Sequence, residues 1–152
     1  MSISSSRNLL AFVFAAAAAV ALPAAAGADA TSPLPFRVIV NPNNPVSSVD
    51  HKFLLDAFLG RTTRWSDNQL IRPADLRPES ATRRRFSDEA LRRSVAAVKI
   101  YWLQVVFSGH GVPPPEFETD ADVVKFVRRT PGAVGYVSST TNVEGTKVVD
   151  VN

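Results

Sequence analysis

The first thirty residues limit what this chain can fold into, because they have the composition of an export signal rather than of a domain. Arg7 is the only charged residue before Asp29, and it is followed by an unbroken apolar run from Leu9 to Leu22. A basic start, a short apolar run and small residues with Ala-x-Ala spacing are typical of a cleavable signal peptide. We therefore predict a signal peptide over residues 1–30.

The apolar run of 14 residues is shorter than the roughly 20 that a helix needs to cross a bilayer. A permanent anchor is therefore not expected, and the mature protein is predicted not to span a membrane. Cleavage after Ala26 and cleavage after Ala30 both satisfy the small-residue rule. Residues 31–152, roughly 122 residues, then form one domain. The predicted location is the periplasm or the exterior of the cell.

The chain contains no cysteine, so an exported domain must be stabilised by its core rather than by disulfides. The two histidines, His51 and His110, lie far apart in the sequence and have no cysteine to assist them. Such isolated histidines do not form a metal cluster. No Gly-x-Ser-x-Gly elbow is present either. We predict neither a metal, nor a cofactor, nor an enzyme activity.

Apolar periodicity divides the first half of the mature chain into short elements. Residues 36–40 are β-branched and apolar, which predicts a strand. Val49, Phe53 and Phe58 recur at helical spacing, with Ser47 or Ser48 as the cap and Gly60 at the end. A second short strand is predicted over residues 69–72.

The second half is predicted to be mainly helical until its last two strands. Ser80 is the expected cap of a helix over residues 82–86, which Ser87 restarts. Ser94 begins the most hydrophobic helix, and Thr119 caps another. Residues 133–137 and 147–151 are predicted strands. Helices between short strands indicate an α/β fold in which a small mixed sheet is flanked by helices.

Several of these segments together resemble phosphate ABC transporter substrate-binding proteins of the type II periplasmic binding protein superfamily. The resemblance rests on Val38-Ile-Val-Asn-Pro42, Phe58-Leu-Gly60 and the later segments Arg77-Pro-Glu-Ser-Ala-Thr82, Phe107-Ser-Gly-His-Gly-Val-Pro-Pro114 and Pro131-Gly-Ala-Val-Gly-Tyr-Val137. Such proteins have two lobes that close on an anion. This chain has the length of one lobe, so the resemblance implies a single-lobe short form with half of an anion site.

The resemblance implies an oxyanion site at residues 77–82. Arg77 corresponds to the arginine that grips phosphate, and Ser80 and Thr82 correspond to hydroxyl donors at a helix start. Glu79 corresponds approximately to the family's aspartate, which accepts a hydrogen bond from a phosphate oxygen that carries a proton. The segment is one residue shorter than the family's, and Ala81 replaces a glycine. In the alternative interpretation, Ser80 only caps a helix and Arg77 is a solvated surface charge.

Residues 61–93 contain nine arginines and five acidic residues, including Arg83-Arg-Arg85. Three consecutive charges on a helix point in three directions, so most of them are expected to be a solvated face. Outside the cell interior this charge does not predict nucleic-acid binding.

Two functions follow from these observations. The first is a domain like a periplasmic solute-binding protein, which binds phosphate or another oxyanion weakly in connection with an ABC permease. The alternative is an envelope interaction domain that has lost its ligand site and contacts another envelope protein. In either case a separately encoded chain is one source of a second lobe.

Overall fold

The computed structural model describes residues 34–152, and the predicted signal peptide lies outside the described residues. Seven strands and four helices follow one another in the order β1 (Phe36–Val40), β2 (Ser48–Val49), α1 (His51–Phe58), β3 (Arg72–Pro73), β4 (Asp75–Leu76), α2 (Ala81–Glu89), α3 (Val95–Phe107), β5 (Glu116–Phe117), α4 (Asp120–Arg129), β6 (Ala133–Ser138) and β7 (Lys147–Val151).

Five of the strands form a mixed sheet in the order β2-β7-β1-β6-β3. The central strand β1 pairs antiparallel with both β6 and β7, while β2 and β3 pair in parallel at the two edges. The strands β4 and β5 form a separate parallel pair. The predicted small mixed sheet with flanking helices is therefore confirmed.

Strand β6 is buried along most of its length because helices cover both faces of the sheet. Successive side chains of a strand point to opposite faces. On one face Tyr136 stacks on Phe86 of α2, with ring centroids 3.7 Å apart. On the other face Gly135 lies directly beneath Val123 and Val127 of α4. The glycine lets α4 approach the sheet closely.

The start of α1 differs from the sequence prediction. Asp50 rather than Ser47 or Ser48 caps α1, by accepting a hydrogen bond from the Phe53 amide at 2.6 Å. Val49 lies in β2 instead of the helix, because Ser48–Val49 pairs with Asp150 and Val151 of β7. The Val49 side chain is buried there.

The segment predicted as a strand over residues 69–72 contributes only Arg72 to β3, together with Pro73. A proline is tolerated there because β3 is an edge strand. Helix α2 runs without interruption to Glu89, so Ser87 is a buried residue within it and not the start of a new helix.

Helix α3 begins after the Ser94 cap, as predicted, and packs against the core through Val98, Tyr101 and Trp102. Val98 is the one residue of this helix that is fully buried. Exposed apolar side chains follow it around the helix, namely Ile100, Leu103, Val106 and Phe107. The reason is that α2 is the main element packed against α3, which leaves most of its circumference uncovered.

Candidate oxyanion site at the start of helix α2

Helix α2 begins at a turn that follows β4 and is stabilised by its own backbone and cap. The Ser80 amide donates to the Arg77 carbonyl at 3.0 Å, which closes the turn. The Ser80 hydroxyl oxygen accepts a hydrogen bond from the Arg83 amide at 3.3 Å. The predicted cap is therefore present. Because the Ser80 oxygen acts as the acceptor, its hydroxyl hydrogen stays available to a ligand.

The first amides of α2 are open to an anion. The amides of Ala81 and Thr82 have no hydrogen-bond partner within the described residues, as is usual for the first turn of a helix. Ala81 is exposed and Thr82 is half-buried. No acidic residue lies in the first turn of α2, whereas Asp120 and Asp122 occupy the first turn of α4. The positive end of the α2 dipole is thus not neutralised by its own first turn.

Arg77 lies at this turn with its guanidinium exposed. Its Nη2 atom forms an ion pair with Glu118 Oε1 at 2.5 Å, and both side chains are more than half exposed. The Arg77 amide also donates to the Phe117 carbonyl at 3.1 Å, which fixes the position of the backbone. Exposed ion pairs contribute only about 0–1 kcal/mol, so an anion of higher charge can compete with Glu118 for Arg77.

The remaining predicted site residue, Glu79, is exposed beside the same turn. Its carbonyl oxygen accepts a hydrogen bond from Arg84 Nη1 at 2.8 Å. The structure thus brings Arg77, Glu79, Ser80 and Thr82 together on one turn, because they are close in sequence. It also brings in Glu118, which the sequence interpretation did not include.

A buried polar cluster lies directly beneath this turn and consists of Asp75, Arg83 and Tyr136. Asp75 Oδ1 forms a buried ion pair with Arg83 Nη1 and accepts a hydrogen bond from the Tyr136 hydroxyl. The Leu76 amide donates to Asp75 Oδ1 at 2.9 Å and to the Tyr136 oxygen at 3.1 Å. This cluster connects β4, α2 and β6 below the candidate site.

Burial controls the ionisation of this cluster. Burial raises the pKa of Asp75 above its ordinary value, and the positive charge of Arg83 opposes this shift. Burial raises the pKa of Tyr136 as well, and the neighbouring Asp75 charge raises it further. Burial alone would lower the pKa of Arg83, but the charge of Asp75 and the contacts with Tyr136 together outweigh it, so the pKa is raised. At neutral pH Arg83 is charged and Tyr136 keeps its proton.

The sequence interpretation assigned most of Arg83-Arg-Arg85 to a solvated face. Arg84 and Arg85 are exposed, but Arg83 is 3% exposed. The sequence does contain a signal for this burial, since Asp75 lies between the apolar residues Ala74 and Leu76. A carboxylate in an apolar strand requires a buried cation. The spacing to its partner, however, depends on the fold.

Within residues 34–152, no group of histidine, cysteine or acidic side chains is arranged to hold a metal ion. Among the helices of the same residues, none combines the length and the hydropathy needed to span a bilayer.

Solved structures with a similar fold include proteins described as components of phosphate transport. An ABC-type phosphate transport receptor from Vibrio cholerae matches with a TM-score of 0.58 and 19% identity, over 76% of this chain and 45% of the receptor. The PstS protein of Borrelia burgdorferi matches with a TM-score of 0.60 and 13% identity, over 77% of this chain and 47% of PstS. The chain has the fold of a periplasmic binding protein.

A Clostridium perfringens protein solved with bound phosphate also matches this binding-protein fold, with a TM-score of 0.61 and 18% identity over 76% of this chain and 44% of that protein. The chain therefore spans less than half the length of these proteins, which agrees with a single-lobe form. At these identities the similarity establishes the fold alone. No protein-family profile and no curated protein matches the sequence.

Proposed function

We propose that the start of α2 binds phosphate or a similar oxyanion. Arg77 contributes its guanidinium, Ser80 and Thr82 contribute hydroxyl groups, and the amides of Ala81 and Thr82 contribute the helix-end donors. Glu79 accepts a hydrogen bond from a protonated phosphate oxygen. The observation that carries the proposal is the capped, uncovered helix start, with two unpartnered amides beside an exposed arginine.

Binding at this site is expected to be weak. The turn is on the surface, and an enclosed pocket removes more of a ligand from water than one wall does. Glu118 also has to leave Arg77 when the anion arrives. A second lobe, supplied by another chain, would provide the missing wall. We further propose that the protein acts in the periplasm beside an ABC permease and that its role is binding rather than catalysis.

Calorimetric titration of the purified protein with phosphate, and separately with sulfate, tests this proposal. Arg77→Ala removes the charged donor and is expected to weaken binding about ten- to hundredfold, since hydrogen bonds to charged groups contribute roughly 1.5–3 kcal/mol. Arg85→Ala is the matched control, because Arg85 is also an exposed arginine of the same region in an ion pair, with Glu89. The control has the same net charge as the Arg77 variant.

Two results would contradict the proposal. One is the absence of any heat and of any thermal stabilisation at millimolar phosphate. The other is an equal loss of affinity in the Arg77 and Arg85 variants, which would mean that the anion responds only to net charge.

A second candidate function is supported by the exposed face of α3. Phe107 is 87% exposed, and Ile100 and Val106 are exposed on the same helix. A helix with apolar residues on all sides is normally buried. We propose as the alternative that this face contacts an envelope protein. A photo-crosslinking residue at position 107 should then give one protein adduct in cells that a residue at position 52 does not give, and identical patterns would exclude this function.

A further inference from the structure

Helix α3 carries an exposed apolar stripe on the side opposite to its buried residue, Val98. The stripe consists of Ala96, Ile100, Leu103 and Phe107, which follow one another at steps of four, three and four residues. With about 3.6 residues per turn, residues at these steps lie along one line of a helix. A helix on the surface of a domain normally has polar side chains opposite its buried side. The stripe therefore indicates a contact outside the domain.

The spacing of the stripe indicates that its partner is another helix. Alternating steps of three and four residues give a repeat of about 3.5 residues, which is the repeat of helices that pack side by side along their length. The stripe covers nearly the whole of α3, whose 13 residues make it about 20 Å long. Lys99 and Gln104 lie on either side of the stripe, where paired helices usually carry polar residues.

The order of side-chain sizes along the stripe indicates a second copy of α3 in the opposite direction. A twofold axis between Ile100 and Leu103 places each of them beside the other residue of the second copy, and places Ala96 beside Phe107. The smallest side chain of the stripe then faces the largest at both ends, so that all layers are filled evenly. A parallel pair would bring two Phe107 side chains together at one end and leave a gap between two alanines at the other.

The charges near the stripe agree with the antiparallel arrangement. Lys99 is the only charged residue of α3, and it comes to lie beside Val106 of the second copy, so no like charges face each other. The last turn of α3 contains no basic residue. The antiparallel arrangement places Arg92 and Arg93 of the second copy just beyond this turn, and both are exposed without an ion pair inside residues 34–152. Cations are favourable beside the negative C-terminal end of a helix.

The exposed apolar area is sufficient for a weak dimer. An aromatic side chain buries roughly 150–250 Å², and Phe107 exposes most of its surface. Because about half of Ile100, Leu103 and Val106 is exposed as well, the apolar area is on the order of 500 Å² per copy. Two copies would bury on the order of 1,000 Å², which is the lower limit for a specific interface. We therefore expect a dissociation constant in the micromolar range.

We propose that α3 pairs with α3 of a second copy of this chain, in the antiparallel direction, through the stripe. A second copy thus occupies the face that the alternative function assigns to an envelope protein. The pairing does not depend on the oxyanion site, which lies at the start of another helix. The dimer should form equally with and without phosphate, so failure of one proposal is distinguishable from failure of the other.

Sedimentation equilibrium of the purified protein between roughly 1 and 500 µM measures the dissociation constant of the dimer. Leu103→Glu and Ile100→Lys each place a charge against an apolar side chain of the second copy, so each should weaken the dimer at least about tenfold. Leu70→Glu is the matched control, because Leu70 is 45% exposed, Leu103 is 47% exposed, and Leu70 lies outside α3. The control should dimerise like the wild type, and all three variants should stay folded by circular dichroism.

An equimolar mixture of the Leu103→Glu and Ile100→Lys proteins tests the direction of the pairing. The antiparallel arrangement places the introduced carboxylate beside the introduced ammonium group, so the mixture should dimerise again. In a parallel pair both charges would still face apolar side chains, and a mixture that stays monomeric would overturn the proposal. A wild-type protein that is monomeric at the highest concentration, or an equal effect of Leu70→Glu, would overturn it too. If that monomer gives the adduct from position 107 in cells, the face binds an envelope protein instead.

Discussion

Replacing Arg83 by methionine tests whether the cluster beneath the helix start supports the fold. The side chains of Arg83 and Asp75 are 4% and 6% exposed, so the variant leaves a carboxylate in the core without its cation. Breaking a buried ion pair in this way costs about 3–5 kcal/mol. The total free energy of unfolding of a domain is typically about 5–15 kcal/mol, so the loss is a large fraction of it.

The matched control is Arg85→Met on the same helix. Arg85 also forms an ion pair, with Glu89, but the two side chains are 68% and 33% exposed. Exposed pairs contribute less than about 1 kcal/mol, so this variant should be nearly as stable as the wild type. Urea unfolding followed by circular dichroism gives both free energies. A loss below about 1 kcal/mol in Arg83→Met, similar to the control, would refute the role assigned to the cluster.

The pH dependence of the same variant provides a second check. Burial raises the pKa of Asp75, and Arg83 is the largest influence that opposes this shift. Without Arg83 the pKa of Asp75 in the folded state rises further above its value in the unfolded chain. The folded state then binds the proton more tightly, so stability increases as the pH falls through that window. The cost of Arg83→Met should be smaller near pH 5 than at pH 7.5.

Three further predictions concern other parts of the molecule. The pKa of Tyr136 is raised above 10 in the folded state, so the unfolded chain loses the phenolic proton first and the free energy of unfolding should fall above pH 10 by about 1.4 kcal/mol per pH unit. Urea titrations should show that Tyr136→Phe removes this slope, and an unchanged slope would contradict the raised pKa of Tyr136. Glu118→Gln removes the carboxylate that competes with phosphate for Arg77, so calorimetry should show phosphate binding that is up to about fivefold tighter. Weaker binding would indicate that Glu118 supports phosphate binding instead of competing with it. Gly135→Ala would place a Cβ atom 2.7 Å from Val123 Cγ1 and should lower the free energy of unfolding by about 1–3 kcal/mol, measured by thermal unfolding. Unchanged stability would mean that α4 moves away from the sheet without cost.

The elements with strong local signals were predictable from the sequence. β1 and β7 are short runs of β-branched residues, and the helix caps at Ser80, Ser94 and Thr119 are local hydrogen bonds. Their physical causes act within a few residues, so the sequence carries them. The single-lobe α/β fold could then be predicted from the order of these elements together with the family resemblance.

What the sequence did not predict depends on distant partners. β4 and β5 have two residues each and form only because they pair with each other, although α2 and α3 separate them in the sequence. Arg83 could not be separated from Arg84 and Arg85 by composition, because its burial requires Asp75 on β4 and Tyr136 on β6. Glu118 meets Arg77 for the same reason, since it follows β5.

The most direct test of the oxyanion proposal is NMR of the α2 amides during a phosphate titration at constant ionic strength. We expect the amide signals of Ala81 and Thr82 to shift and saturate with phosphate, whereas the first amides of α1, at His51 and Lys52, do not. Helix α1 is a suitable comparison because its cap is the carboxylate of Asp50 rather than a neutral hydroxyl group. Equal shifts at both helix starts, or no shift at Ala81 and Thr82, would contradict the account.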